Sequence, residues 1–269
     1  IKLRKVETGW IKQKIIATSN LRETMKVFDK YRDTTYSVAW IDCTKSIKNV
    51  GRSLIIIGEH AKKNELNKNN DLFNISRIKQ IYIPPFIIRC LLNFFTIKLL
   101  NKLYYFLGKT KFKSQNVTWD DYFYPLDKIV GWNKFYGKKG FIQFQCVLPL
   151  RNSEFGIEEI LKTIAKSKQG SFLAVLKKFS KQNVGLSFPM LGYTIALDFP
   201  VTKKTVALIN ILHKITIKYE GRVYLAKDSI LKYKDLRKLD SRLNDFLLMR
   251  KKTNNSNYFI SLQSKRLKI

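Results

Sequence analysis

Apolar positions alternate with polar ones in several short runs of this chain and recur every three to four residues in others, which separates strands from amphipathic helices. The stretch from Glu7 to Thr18 reads as a strand, and Ser19-Asn20 then cap a helix from about Leu21 to Tyr31. Thr35 to Ile41 and Arg52 to Ile57, rich in β-branched and aromatic residues, read as further strands. In the second half, strands are expected at Phe141 to Leu148, Ser171 to Phe179 and Tyr193 to Phe199. Helices are expected at about Ser153 to Lys166 and Lys203 to Tyr219. Strands and helices without a strict βαβ rhythm predict an α+β fold, an antiparallel sheet flanked by helices. No internal repeat is present.

Two segments fit this alternation less simply. Lys62 to Asn70 is Lys/Asn-rich without periodicity and is expected to be a mobile loop. From Pro84-Pro85 through Phe86, Ile88, Leu92, Phe95, Leu99 and Leu103 runs the most apolar stretch, with Arg89, Asn93 and Thr96 as a narrow polar stripe. Arg89, Lys98 and Lys102 interrupt it too often for a spanning helix, which needs about 20 nearly uninterrupted apolar residues. It is either a helix packed on the core or an interfacial helix whose lysines meet anionic headgroups.

Composition narrows the class. At 269 residues with 45% hydrophobic and 13% aromatic content, the chain can bury a sizeable core as one large domain or two. Its 51 Lys+Arg against 20 Asp+Glu give +31, a charge that attracts phosphates, nucleic acid or an anionic membrane. Much of that excess is lysine scattered among asparagine and isoleucine, as AT-rich coding drift would produce, and is discounted accordingly. Cys43, Cys90 and Cys146 are odd in number and lack metal-ligand spacing, so no disulfide framework is expected. Two histidines leave little material for a zinc site or a Ser-His-Asp triad. The chain opens at Ile1 with neither an initiator methionine nor a signal-peptide pattern, and is expected to be a piece of a longer protein.

Candidate chemistry sits on the strands. Gly221 to Leu225 reads as a strand, so Val223, Leu225 and Lys227 would share one face. An ammonium among apolar neighbours is a candidate for acid, base or charge-stabilising work, unless its head simply reaches water. On Phe141 to Val147, alternation sets Gln143 and Gln145 together opposite Ile142, Phe144 and Cys146. Paired amides supply the donor and acceptor that a vicinal diol needs; the other reading is a solvated sheet face. Leu173, Val175 and Lys177 alternate likewise, as do Thr194, Ala196 and Asp198. If these strands share a sheet, Gln143, Gln145, Lys177 and Lys227 would face one basic, hydroxyl-reading, apolar-walled cleft. Such a cleft suits a phosphorylated sugar carrying a lipid. It suits nucleic acid less, because the aromatics form no exposed ladder alternating with the lysines.

Six motifs in order then carry a resemblance. They are Tyr36-Ser37-Val38-Ala39-Trp40-Ile41-Asp42, Phe123-Tyr124-Pro125-Leu126-Asp127 with Trp132-Asn133, Gly140-Phe141-Ile142-Gln143-Phe144-Gln145, Leu186-Ser187-Phe188-Pro189, Asp198-Phe199-Pro200 and Ala226-Lys227-Asp228-Ser229. The chain resembles the decaprenylphosphoryl-β-D-ribose 2-oxidase family, flavoenzymes of the vanillyl-alcohol-oxidase superfamily related to aldonolactone oxidases, from about Glu7 onward. The resemblance implies FAD-dependent oxidation of a polyprenyl-phosphate pentose at its C2 hydroxyl, with a short-chain reductase partner completing an epimerisation. It implies Lys227 as the active-site lysine near the flavin, with Ala226 beside it. Gln143, Gln145 and Lys177 are implied as substrate-pocket residues, and Trp40, Leu173 and Val175 as the pocket wall. A nearby ammonium can stabilise the charge that develops as a carbinol loses hydride and proton. A cytoplasmic or peripheral inner-membrane location is implied with it.

Departures from the family pattern bear on the same pocket. Ala196 stands where mycobacterial members carry a cysteine, so thiol-directed inhibitors are not expected to bond here. Phe123 replaces a tyrosine, Thr194 an asparagine, and Asn254-Asn255 an Asp-Pro. The family's FAD-binding domain with its glycine-rich loop has no counterpart in these residues. Residues 1–6 are therefore expected to be its last remnant, 7–221 the substrate-binding domain, and 222–269 a segment returning to it; the chain alone is expected not to hold FAD tightly. A soluble aldonolactone as substrate, and a non-catalytic basic module binding nucleic acid or a membrane surface, are the alternatives.

Overall fold

The computed structural model describes the chain except residues 1, 4, 46–47, 68–70, 74–79, 85–92, 112–113, 172, 183–184 and 254–257. Eight strands form one sheet: β1 (Trp10–Thr18), β2 (Tyr36–Ile41), β3 (Ser53–His60), β4 (Ser114–Thr118), β5 (Phe141–Pro149), β6 (Ala174–Phe179), β7 (Gly192–Pro200) and β8 (Arg222–Val223). Their spatial order is β4-β1-β3-β2-β6-β7-β5-β8, and every neighbouring pair is antiparallel. The α+β architecture follows from the sequence as expected, and the strand registers give the two faces opposite jobs.

One face is the core. Ala39, Ile41, Ile55, Leu176, Ile195, Leu197, Phe144 and Cys146 point to it and meet Leu21, Met25 and Phe28 of helix α1 (Leu21–Lys30). Ile157, Ile160, Leu161 and Ile164 from the helix Leu150–Ser167 join them, with Leu208 and Leu212 from the helix Lys203–Lys218. Most of these side chains are fully enclosed, each worth about 1.5–3 kcal/mol of transfer free energy. Asn20 caps α1 by accepting from the Glu23 amide, as the Ser19-Asn20 signal predicts.

Among the described residues, the opposite face is covered over its β1-β3-β2 half only. Helix α2 (Phe94–Lys111) lies there: a Cβ at Gly108 would stand 2.2 Å from Leu54 Cδ1, and the Tyr104 ring meets the Trp40 ring edge-on at 4.9 Å. Leu54 and Trp40 are register partners, so both contacts fall on one side of the sheet. Helices therefore flank both faces of this half of the sheet. Residues 85–92, the predicted opening of this helix, lie outside the described residues. Asn93 and Thr96, read as part of one polar stripe, instead form its start: the Asn93 side chain accepts from the Phe95 and Thr96 amides while the Thr96 hydroxyl accepts from the Asn93 amide.

A single buried carboxylate ties α2 to the sheet. Asp42, just past β2, is fully enclosed; its Oδ1 accepts from the Thr44 amide (3.0 Å), the Thr44 hydroxyl (2.6 Å) and Asn101 Nδ2 of α2 (3.0 Å). Its Oδ2 pairs with Arg52 Nε (2.9 Å) and Nη2 (2.7 Å), and the guanidinium also lies over the Tyr105 ring. A charge taken this far from water is tolerated only when saturated with donors.

Other expectations are corrected locally. Within Lys62 to Asn70, Lys63–Glu65 form a 3-10 turn that Glu65 caps through the Lys62 amide and pins through Lys12 Nζ (2.7 Å); residues 68–70 lie outside the described residues. The strand expected to carry Lys227 ends at Val223, and Leu225–Lys227 form a 3-10 turn, so Lys227 does not alternate with Val223 and Leu225. After Tyr224 the 3-10 geometry, not the pleat, sets where each side chain points. A second small core of Val223, Leu231, Leu236, Leu239, Leu243 and Leu267 packs the helices Tyr233–Leu239, Leu243–Thr253 and Leu262–Leu267, none of which sequence periodicity singled out. Asn254-Asn255 lies outside the described residues.

Replacing Asp42 by asparagine leaves Arg52 buried without its counter-charge. Denaturant unfolding of Asp42→Asn is expected to show a loss of roughly 3–5 kcal/mol; a loss within measurement error would remove this cluster from its anchoring role.

Candidate functional site

On the half of that face that α2 leaves open, strand register brings distant residues into transverse rows. Trp40 pairs with Val175, Val175 with Ala196 and Ala196 with Gln145, a row crossing β2, β6, β7 and β5. At about 4.8 Å per strand it spans roughly 14 Å. The next row runs Lys177, Thr194, Val147, Arg222, and on the other side Gln143 pairs with Asp198. Leu173 lies just outside β6, its carbonyl accepting from the Ser171 hydroxyl, whose oxygen in turn accepts from the Asp198 amide.

Both amides are oriented by β7. Gln143 Nε2 donates to Asp198 Oδ1 (2.9 Å) and Gln145 Nε2 donates to the Thr194 hydroxyl (3.0 Å), which itself donates to the Cys146 carbonyl (2.8 Å). Each glutamine thus leaves its carbonyl oxygen without a hydrogen bond among the described residues. Both glutamines are half-buried, so the sheet face that carries them is only partly solvated. Thr194 is almost wholly enclosed and committed to two protein partners, so its part here is to hold Gln145.

Lys227 reaches this group from the 3-10 turn. It is half-buried, and its charge is felt at both Lys177 and Asp198. Lys177 keeps solvent contact along its side chain, yet the protein packed around its ammonium lowers its pKa, and the Lys227 charge lowers it further. Burial raises the Asp198 pKa, against the Gln143 hydrogen bond and the Lys227 charge, which lower it. Two cations and one reluctant carboxylate leave a local surplus of positive charge.

The turn is fixed from a distance. Gln263 Nε2 donates to the Leu225 and Asp228 carbonyls. Asp228, from the same motif as Lys227, accepts from the Ile230 and Leu231 amides and pairs with Arg266 (2.8 Å). Aromatic rings border the open face: Phe188 stacks on Tyr224 at 4.6 Å and meets Phe179 edge-on, and Phe123 meets Tyr36 edge-on at 4.9 Å. Phe123 is therefore four residues along β2 from Trp40, away from the central row. Ala226 is exposed at the outer edge.

The expected residues converge on one side of the sheet but do not enclose a single hollow. A cavity of about 220 Å³ opens beside Asp198, lined also by Asn93, Phe94, Tyr136 and Gln169, and a smaller one of about 100 Å³ lies under Phe188, Tyr224 and Ala226. Gln145, Val175 and Lys177 line neither; they stand on the open surface between them. Sequence reasoning placed Asp198 and Asp228 in motifs without giving either a task, and it missed Gln263 and Arg266. The only signal for Asp198 was an acid on an otherwise apolar strand.

This fold, one antiparallel sheet with helices on one face and half of the other, has a counterpart among solved structures. The structure superposes on 55% of the xylooligosaccharide oxidase from Myceliophthora thermophila C1 in complex with xylobiose, using 96% of this chain, at a TM-score of 0.51 and 8% identity. In sequence, the chain is similar to the decaprenylphosphoryl-β-D-ribose oxidase of Mycolicibacterium smegmatis (strain ATCC 700084 / mc(2)155), 29% identical over 275 residues that cover 100% of this chain and 59% of that protein. The chain thus spans about three-fifths of that curated relative. No protein-family model matches it.

Because its pKa is raised in the folded state, ionised Asp198 subtracts from stability. The penalty develops as pH rises from about 3.8 through the folded value and is complete above it. Asp198→Asn, which can still accept from Gln143, is expected to melt higher than wild type at neutral pH, with the gap closing as pH falls through the carboxylate range. A gap that widens on acidification would refute the assignment.

Proposed function

We propose that this chain is the substrate-binding part of an FAD-dependent oxidoreductase. It would oxidise the C2 hydroxyl of a polyprenyl-phosphate pentose to a keto sugar, as the oxidase half of an epimerisation that a short-chain reductase completes. The observation that carries the reading is the row Trp40-Val175-Ala196-Gln145 with Lys177, Lys227 and Asp198 at its border. It offers an apolar wall for a carrier, amide oxygens that accept from sugar hydroxyls, and two ammonium groups short of counter-charge for a phosphate.

The donor set also fits one edge of a flavin. Lys227 brings a cation that the electron-rich edge of the ring would accept, and Ala226 beside it is exposed, leaving room for a flat ring. None of the 12 glycines falls in Gly-X-Gly spacing, so a pyrophosphate would be held outside these residues. FAD, when bound, supplies the hydride acceptor. This chain's own contribution is to orient the sugar through Gln143 and Gln145 and to stabilise, through Lys227, the negative charge left as the hydroxyl proton departs. In this reading, residues 7–221 are the substrate domain, while 1–6 and 222–269 belong to the flavin-binding part. No helix among the described residues is long and apolar enough to cross a membrane, and attachment would be peripheral, on the inner membrane.

Anaerobic flavin reduction in the protein carrying its flavin-binding residues is the test. A polyprenyl-phospho-pentose is expected to bleach the flavin, and Lys227→Ala to slow that step roughly 10²–10³-fold. Reduction by a soluble aldonolactone instead would favour a lactone oxidase, and an unaltered rate in the variant would remove Lys227 from the chemistry.

A further inference from the structure

Helix α2 closes one side of the candidate site with its inner stripe and leaves its outer stripe unaccounted for. Ile97, Asn101 and Gly108 face the sheet and are buried. On the outer side, Phe95 (74% exposed), Leu99 (65%), Leu103 (52%) and Phe106 (61%) follow one another at helical spacing as an uncovered apolar ridge. Lys98, Lys102 and Lys109 flank it; all are exposed, and none forms an ion pair among the described residues. The surrounding sequence is one-signed: between Asp71 and Asp120 there is no acidic residue, against eight lysines and arginines.

We infer that this face of α2 docks on an anionic lipid bilayer, lying in the headgroup plane with the ridge buried and the lysines among lipid phosphates. Apolar side chains in a row and cations beside them are what an interfacial helix requires. Two copies of the face would bring like charges together, which disfavours self-association. Nucleic acid would use the lysines but gains nothing from the ridge. Tyr104, on the same helix, meets Trp40 at the head of the substrate row, so a bilayer seated on α2 lies beside the candidate site. A lipid-linked substrate would then reach the row without its tail crossing water; that purpose rests on the proposed function, whereas the surface itself does not.

The full chain is sedimented with vesicles of phosphatidylcholine alone and of phosphatidylcholine mixed with phosphatidylglycerol. Wild type is expected to bind the mixed vesicles strongly and the neutral ones weakly. Combining Lys98→Glu, Lys102→Glu and Lys109→Glu is expected to reduce partitioning to mixed vesicles at least a hundredfold. Combining Phe95→Ser, Leu99→Ser and Phe106→Ser is expected to abolish binding to both. All six side chains are exposed, so unchanged melting midpoints are expected to accompany these losses. A single Leu99→Trp reporter, blue-shifting on mixed vesicles alone, supplies a reading independent of the triple variants. Failure of wild type to bind, full binding by either triple variant, or a dimer dissolved by the serine variant with no vesicle binding would each overturn the inference. None of these measurements involves flavin or sugar, so they fail independently of the oxidase reading.

Discussion

One carboxylate holds together the two layers on which the open face depends. Asp42 follows β2, accepts a side-chain amide from α2 and neutralises the guanidinium that precedes β3. Such a buried pair adds little net stability compared with an apolar filling of the same space. Its value is directional. Apolar contacts along α2 would tolerate a sliding or rotated helix, whereas four hydrogen bonds and an ion pair around two oxygens accept one placement. That placement fixes which turn of α2 meets Trp40 and which stripe is left facing outward.

The row of site residues shows what alternation can and cannot convey. Period-two spacing sorted Gln143 and Gln145 from Ile142, Phe144 and Cys146, and likewise Val175 and Lys177 from Leu176, because one face of β5 and β6 is a dense core. The order of strands was not written in any local pattern: β2 pairs with β6 across more than a hundred residues, and no periodicity announces such a partner. Lys227 was misplaced for a related reason. Alternation continues on paper past Val223, but the chain leaves the sheet there, and hydrogen bonds from Gln263 and Arg266 decide its path instead. Ser114–Thr118 lacked any apolar signal, being an edge strand that is mostly exposed.

Electrostatics separates background charge from charge with a task. Lysines are scattered over the whole surface, and several sit in ordinary exposed pairs, such as Lys162 with Glu158 and Lys218 with Glu159, which contribute little. Lys177 and Lys227 differ because they feel one another's charge, because burial works against Lys177, and because Asp198, which feels Lys227, resists ionisation. A folded chain spends stability on such an arrangement, and sites that bind anions are where the expense is recovered.

The turn bearing Lys227 is secured by side chains some forty residues further along. A growing polypeptide stopped short of Arg266 could pair all eight strands and still present this lysine on a loose tether. Completion of the basic corner thus comes after all eight strands have been made, and lesions in the helix Leu262–Leu267 would be felt at the turn that carries this ammonium group.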